Sequence, residues 1–409
     1  MEHWTKIPEL LCPAGDIIRL KAAVDYGADA VYLAGEEFGM RTAAANFGEK
    51  DLIKGINYAH SHGVKVHVTC NTIPHNEEIP RLPAFLELIN NVGADAIIAA
   101  DLGTMEMVKK YAPKCELHAS VQSGICNYET ASAFYNLGAK RVVLARELSL
   151  DEISEIRAKT PKELEIEAFA HGAMCISFSA RCLLSSYMTG RDSNRGDCAQ
   201  SCRWSYSLME EKRPGQYFDI TETDKGSYIL NANDMCMAEH LDKMSAAGID
   251  SIKIEGRAKS QYYVAVTANA YRGALDSMRD CDGDWKLPVW VTEELNKISH
   301  RNYSTGFYFG KPENSQTYAN AGYVRDYSVA AVVDGYENGM IIATLKNKFL
   351  LGQEFDCLEP KSKPFKVAAN KLFDGNGKAI DSASHPMMTV KIPFKRPVKS
   401  GSLLRMACI

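Results

Sequence analysis

Residues 27–34 read GADAVYLA, and the same grammar returns as GVKVHVTC from Gly63, GADAIIAA from Gly93, GAKRVVLA from Gly138 and GIDSIKIE from Gly248. Each copy follows an amphipathic helical stretch. Glycine suits the left-handed residue that closes a helix, and the short apolar run after it suits a buried strand. Every copy therefore reads as the αβ half of a repeated βα unit. Glu9–Cys12, Glu116–Ser120 and Leu164–Ala168 are three further strand candidates, which makes eight. Eight βα units predict an α/β fold, a (β/α)8 TIM-like barrel. An open doubly wound sheet is the alternative, and no GxGxxG-type fingerprint supports it.

The step from the strand at Leu164 to the strand at Ser251 is 87 residues, far longer than the others. Roughly 60 residues are thus inserted after strand seven, on the face where such barrels keep their chemistry. The insertion spans about 172–245, within a barrel domain 1–280. A helix over Ser260–Arg279 follows strand eight. Residues 281–321 read as a linker with a short helix near Thr292–Ser299. From Gly322 the pattern changes to short strands such as AAVVDGY, GMIIATL and MMTVKIPF, which predict a small C-terminal antiparallel β-barrel over 322–409.

Composition narrows the function. From Tyr323 onward, 13 Lys and Arg stand against 8 Asp and Glu, a balance of +5, which leaves −9 on the rest of a chain whose total is −4. No global basic field announces a nucleic acid. The basic C-terminal module fits either a polyanionic partner or an ordinary solvated surface. The start, MEHWTKIPELL, lacks a basic flank followed by an apolar segment, and no run of about 18 apolar residues occurs. A soluble, cytoplasmic protein with no membrane association is the expectation.

Alternation along the strands assigns faces. The apolar parity should face the helices, so the polar parity faces the lumen. That parity carries Lys65, His67 and Thr69 in strand three, and His118, Ser120 and Gln122 in strand five. It carries Glu165, Glu167 and His171 in strand seven, and Lys253, Glu255 and Arg257 in strand eight. Buried charge demands partners, and Glu167 can pair with Lys253 from the neighbouring strand. Two readings stay open: an ion-pair network that plugs the barrel, or a site for a polar or anionic molecule. In the second, Lys253, Arg257 and Arg146 meet carboxylates. His67, His118 and His171, with Glu167 and Glu255, are then the candidate catalytic proton-transfer groups.

Twelve cysteines in a reducing compartment are not a disulfide framework. Five of them, Cys175, Cys182, Cys198, Cys202 and Cys236, fall in the inserted loop. Gathered thiolates suggest metal. No CxxC pair favours zinc, whereas wide spacing suits an iron–sulfur cluster, whose ligands need only converge in space. Coincidental core or surface thiols are the competing reading.

The motifs EAFAHGAMCISFSARC (167–182), GDCAQSCRW (196–204), NANDMC (231–236) and IKIEGR (252–257), with LLCPAGD (10–16) and GADAVYLAG (27–35), resemble the collagenase-like peptidase family U thirty-two. The resemblance spans nearly the whole chain and is strongest to the family's tRNA hydroxylation branch. It implies a [4Fe–4S] cluster on Cys175, Cys182, Cys198 and Cys236, with Cys202 as the alternative fourth ligand. It implies 5-hydroxylation of the wobble uridine of tRNA, prephenate as co-substrate, and possible pairing with a second family member. Arg191, Arg195 and Arg203 flank the thiols and are candidate RNA-binding residues. Lys361, Lys363, Lys366, Lys395, Arg396 and Lys399 of the C-terminal module would hold the body of the RNA.

Two competing functions remain. One is the family's historical label, a peptidase, although neither HExxH nor GxSxG occurs. The other is a zinc-stabilised, non-catalytic RNA-binding or assembly partner.

Overall fold

The computed structural model describes residues 6–40, 46–175, 177–204, 232–310 and 326–408, with four two-residue strands between 208 and 227. Strands β1 (Glu9–Pro13), β2 (Ala30–Ala34), β3 (Lys65–Cys70), β4 (Ala96–Ala99), β5 (Glu116–Ala119), β6 (Ala139–Val143) and β7 (Glu165–Ala173) pair in sequence order. Past its barrel portion, β7 also pairs antiparallel with β8 (Asp234–Cys236). The eighth barrel strand, β9 (Ser251–Ile254), is parallel to both β7 and β1 and closes the ring. The expected eight-stranded parallel barrel is present. Its outward residues, among them Leu10, Val31, Val66, Ile97, Ile166 and Ile252, are fully buried.

The helices follow the repeat: α1 (Ile17–Asp25), α2 (Glu49–Ser61), α3 (Leu82–Val92), α4 (Leu102–Tyr111), α5 (Tyr128–Asn136) and α6 (Leu150–Lys159). A short α7 (Leu184–Thr189) lies in the inserted loop, and α8 (Leu241–Ala246) and α9 (Gln261–Arg279) flank β9. The recurring Gly-x-Asp has a concrete job. Gly27, Gly93 and Gly248 take φ of 114°, 84° and 81°, so each helix can stop and turn. The aspartate two positions on then accepts a backbone N–H at the start of the preceding strand. Asp29 takes Leu10 N at 2.9 Å, Asp95 takes Val66 N at 2.7 Å and Asp250 takes Ile166 N at 2.9 Å. The repeat thus sets strand register as well as helix ends.

The segment expected as a linker is structured over its described part. It carries α10 (Val289–Leu295), which packs on α9, and β10 (Tyr303–Ser304), which pairs with β8. Residues 311–325, which include the end of that linker and the expected start of the C-terminal module, lie outside the described residues, as does much of the insertion between 205 and 231.

The C-terminal module is a seven-stranded antiparallel sheet. In chain order its strands are β11 (Tyr327–Glu337), β12 (Met340–Leu345), β13 (Glu354–Leu358), β14 (Phe365–Ala368), β15 (Phe373–Asp374), β16 (Thr389–Pro393) and β17 (Leu403–Ala407). Their spatial order is β14-β13-β17-β11-β12-β16-β15. The first and last of these do not pair, so the expected closed barrel is a half-barrel. It docks on α9 and α10 through a buried pair in which Arg405 Nη1 and Nη2 donate to Glu294 at 2.6 and 3.1 Å. Tyr26 Oη on α1 donates to the carbonyls of Leu358 and Gly401, both at 2.9 Å.

Candidate active site

The lumen has two levels. The floor is an ionic layer. Arg141 on β6 meets Glu9 at 2.6 Å, Glu165 at 2.6 Å and Glu167 at 3.1 Å. Glu167 takes Lys253 on its other oxygen at 2.7 Å. Burial would raise the Glu9 carboxyl, but the hydrogen bond and charge of Arg141 outweigh it and hold the group at about 2. The same contest, won by Lys253 and Arg141, lowers Glu167. His67 and His118 lie edge to face beside this layer, with ring centroids 4.8 Å apart. Burial and the neighbouring imidazole push His67 down to about 3; burial and Arg141 push His118 well below its ordinary value. Both are neutral hydrogen-bonding groups at neutral pH. Glu167, His67 and His118 do not line the cleft above, which places three expected catalytic groups in the plug. The ion-pair reading describes this floor, and the second reading concerns the level above it.

Above the floor opens a cleft of ≈ 570 Å3, its open mouth included, lined by Tyr32, Thr69, Asn71, Gln122, Arg146, Phe169, Lys253, Glu255 and Arg257 with Met40, Ile98, Ser120 and Val121. The three expected anion-binding cations converge here. Arg257 Nη1 donates to Thr69 Oγ1 at 3.0 Å. Arg146 donates to the Ala173 carbonyl at 2.9 Å and lies 3.7 Å from the Phe169 ring centroid. Lys253, tethered below by Glu167, stands 4.5 Å from the Tyr32 ring. Tyr32 Oη donates to the Ile254 carbonyl at 3.0 Å and reaches Glu255 Oε2 at 3.4 Å. Glu255, expected as a catalytic group, is thus the carboxylate of the cleft. Tyr32 and Phe169 escaped the sequence reading, although each sits on the inward parity as an aromatic among smaller or charged residues.

His171 is not in this cleft. Pairing runs Lys253↔Phe169 and then Ile254↔His171, so Ala170 is skipped as a bulge. One extra residue reverses the side-chain alternation. His171 turns toward α9, where its ring faces Tyr263, Tyr271 and Tyr303, and its Nδ1 lies 3.3 Å from Tyr271 Oη. Burial lowers it to about 3. The chain passes Glu255 so closely that a Cβ on Gly172, at φ 108°, would stand 2.5 Å from the Glu255 carbonyl oxygen.

The inserted loop is fastened to the rim beside the cleft. Arg181 Nε donates to the Gln122 carbonyl at 2.5 Å, Ser179 N to Glu147 Oε1 at 2.9 Å, and Ile73 N to the Asn194 carbonyl at 3.3 Å. Asn194 braces Cys182 on both sides: its Oδ1 accepts Cys182 N at 3.1 Å and its Nδ2 donates to the Cys182 carbonyl at 3.0 Å. Burial opposes ionisation of the Cys182 thiol, but Ser177, Ser193 and the amides of Leu184 and Ser185 together lower its pKa. Cys202 is raised, first by burial and then by the neighbouring thiols of Cys175, Cys198 and Cys182. The Cys202 thiol thus lies within electrostatic reach of Cys175, Cys198 and Cys182.

Cys236 stands apart on β8, opposite His171, with Tyr271 Oη 3.9 Å from its Sγ. Burial raises it to about 11 against the Ala238 amide and Tyr271. The expected fourth thiol is thus placed with the tyrosines, and the alternative, Cys202, with the other three. Among the described residues no three of His, Cys, Asp and Glu could together hold one metal ion. The thiolates of a cubane, each on its own iron, stand wider apart than the ligands of a single ion.

Of the expected RNA-binding arginines, Arg191 pairs with Asp197 at 2.7 Å and Arg195 with Glu77 and Glu78 at 3.1 and 3.2 Å, while Arg203 donates to Gln200 at 3.2 Å. In the C-terminal module Lys366 pairs with Glu354 and Asp356, and Arg396 pairs with Glu359 and stacks on Phe365. Among the described residues no helix is long and apolar enough to cross a membrane.

The chain is similar in sequence to known proteins. The chain is 36% identical over 404 residues to tRNA hydroxylation protein P1 of Bacillus subtilis (strain 168), covering 98% of this chain and 95% of that one. It is 38% identical over 276 residues to the 23S rRNA 5-hydroxycytidine C2501 synthase of Escherichia coli (strain K12), covering 68% of this chain and 40% of that one. It is 33% identical over 316 residues to the protein named Collagenase in Porphyromonas gingivalis (strain ATCC BAA-308 / W83), covering 74% of each. Residues 15–318 match Peptidase family U32, and residues 325–405 match the Peptidase family U32 C-terminal domain. These matches, which together run over most of the sequence, make this chain a member of peptidase family U32.

Proposed function

We propose that this chain is an iron–sulfur RNA-modifying enzyme that hydroxylates carbon five of the wobble uridine of tRNA, with prephenate as co-substrate. The observation that carries the reading is the adjacency of two features at the barrel rim. A cleft holding Arg146, Lys253 and Arg257 adjoins, through Gln122, a loop that carries Cys175, Cys182, Cys198 and Cys202. Relatives named for tRNA hydroxylation and for rRNA hydroxycytidine synthesis support the RNA substrate.

Each residue then has a task. Arg257 and Arg146 orient the carboxylates of a dianion by charge-assisted hydrogen bonds. Lys253, held by Glu167, supplies positive charge at the base of the cleft. Glu255 and the Tyr32 hydroxyl form the proton-handling pair next to the bound molecule. Cys175, Cys182, Cys198 and Cys202 would hold the cluster, which when bound supplies one-electron capacity beside the cleft. A uridine in an anticodon loop is already single-stranded, so presenting it demands no duplex opening.

The test is mass spectrometry of tRNA nucleosides from a strain lacking this gene. 5-Hydroxyuridine derivatives should vanish, return with the wild-type chain and stay absent with Cys182→Ala. Unchanged nucleosides in the deletion strain, with no second family member present, would overturn the reading. The peptidase alternative finds less support, because His171 hydrogen-bonds among tyrosines and, among the described residues, makes no hydrogen bond to Cys175. Cleavage of a peptide by cluster-free protein would restore it.

A further inference from the structure

The inserted loop exposes more apolar surface than its thiols require. Of the thirteen large hydrophobic residues exposed in the described chain, Phe178, Leu183, Tyr187, Met188 and Trp204 all fall between 177 and 204. Tyr187 is 83% exposed, Leu183 61% and Phe178 53%. Leu183 and Tyr187 are four residues apart at the start and along the face of α7, a spacing that makes them neighbours. α7 packs against the turn Ser201–Arg203, and Trp204 follows that turn directly. Ser185 ties the two together, since its Oγ accepts the Ala199 amide at 3.0 Å. A concentrated exposed apolar patch is uncommon on a surface with no partner.

The charge of the same stretch says which partner. Residues 177–204 contain four arginines and two aspartates, with no lysine and no glutamate. They carry +2 on a chain whose net charge is −4. Arginine with exposed aromatics is the composition that meets single-stranded nucleic acid. The rings stack on unpaired bases, and the guanidinium groups meet phosphate or stack in turn. The net positive charge of the stretch favours a polyanion over a protein surface of mixed charge.

We infer that Tyr187 and Trp204, with Phe178 and Leu183 beside them, form a stacking platform for unpaired RNA bases flanking the nucleotide delivered to the cleft. The inference rests on the RNA-modifying reading above and names the part of the molecule that grips the loop of the RNA. The aromatics supply sequence-tolerant grip, Arg203 and Arg191 follow the backbone, and the target base alone continues past the loop. Position supports this, because the loop is fastened to the rim on three sides, through Gln122, Glu147 and Ile73.

The experiment uses full-length protein isolated without oxygen and two probes. One is a short RNA hairpin with a uridine-containing single-stranded loop; the other is the same stem as a blunt duplex. Tyr187→Ala and Trp204→Ala should each weaken hairpin binding about 5- to 100-fold and leave duplex binding unchanged. Tyr187→Phe should bind as wild type, and the salt dependence should stay that of wild type because no phosphate contact is lost. Hairpin affinity unchanged in both alanine variants, at wild-type iron content and thermal midpoint, overturns the platform. A wild-type dimer that Tyr187→Ala renders monomeric overturns it in favour of a contact between copies. Wild type that modifies tRNA while the alanine variants do so at an unaltered KM removes the platform alone. Wild type that neither binds the hairpin nor modifies tRNA removes the RNA reading itself.

Discussion

The floor of the barrel and its rim use the same side-chain types for different ends. On the floor Arg141 is shared among Glu9, Glu165 and Glu167, and Lys253 completes the last of these. Every partner named is another protein group; Arg141, Glu167 and Lys253 are buried, while Glu9 and Glu165 are partly exposed at the outer side. At the rim Arg146 donates to a carbonyl and Arg257 to a hydroxyl, and both line a cleft. Charge saturated by charge fixes geometry. Charge that lines a cleft can also meet a molecule from outside. Lys253 belongs to both levels, so the floor sets the position of a group the rim uses.

The largest effect should come from the floor. Arg141→Met leaves three carboxylates around an apolar side chain, and an orphaned buried ion costs about 3–5 kcal/mol. Urea unfolding should show that loss together with an unaltered slope against denaturant. A loss under about 1 kcal/mol would mean the carboxylates reach water or protonate cheaply, and the floor would no longer count as a plug.

That contrast of levels was only half legible in the sequence. Period-two alternation assigns a face, and it assigned Glu167, Lys253 and Arg257 to the lumen correctly. It says less about height, which depends on where each strand starts relative to its neighbours. The Gly-x-Asp turns set those starts through hydrogen bonds such as Asp250 to Ile166 N, and a composition reading cannot see them. Alternation also fails at a bulge, which is why His171 was expected in the lumen and lies against Tyr271 instead. Gly172 was the available signal, since a glycine inside a strand often marks a bulge. The inserted loop resisted for another reason. Its contacts, such as those of Asn194 around Cys182, follow no period. The NANDMC motif that favoured Cys236 forms β8, which pairs with β7.

A second effect separates the levels by acid. His67 and His118 are held far below the ordinary imidazole value by burial, and Glu9 is held at about 2 by Arg141. In the unfolded chain the imidazoles take up protons near pH 6.5. The unfolded state therefore binds more protons as pH falls, and stability drops from about pH 6.5 downward. The contribution of His67 is lost by about pH 3. The carboxylates add their own loss below their unfolded values, near 4.3. Each imidazole contributes a slope approaching about 1.4 kcal/mol per pH unit. Urea midpoints measured from pH 7 to pH 4 should fall steadily, and His118→Gln should flatten the upper part of the curve. A profile flat from pH 7 to pH 5 would mean that the floor admits protons without cost.

The smallest effect on stability, and the sharpest on ligand binding, belongs to Arg146. Its guanidinium lies on the Phe169 face and donates to the Ala173 carbonyl. Methionine of similar length keeps the packing on that ring, and the carbonyl is at the rim. Arg146→Met should therefore stay within about 1 kcal/mol of wild-type stability. Affinity for prephenate, the co-substrate proposed above, should fall by about tenfold or more in calorimetry, since a hydrogen bond from a charged donor is lost. The pairing of small stability change with large affinity change is what distinguishes rim from floor. Were Arg146→Met as destabilising as Arg141→Met, the two levels would be one continuous plug, and the cleft would be its upper surface and not a binding site.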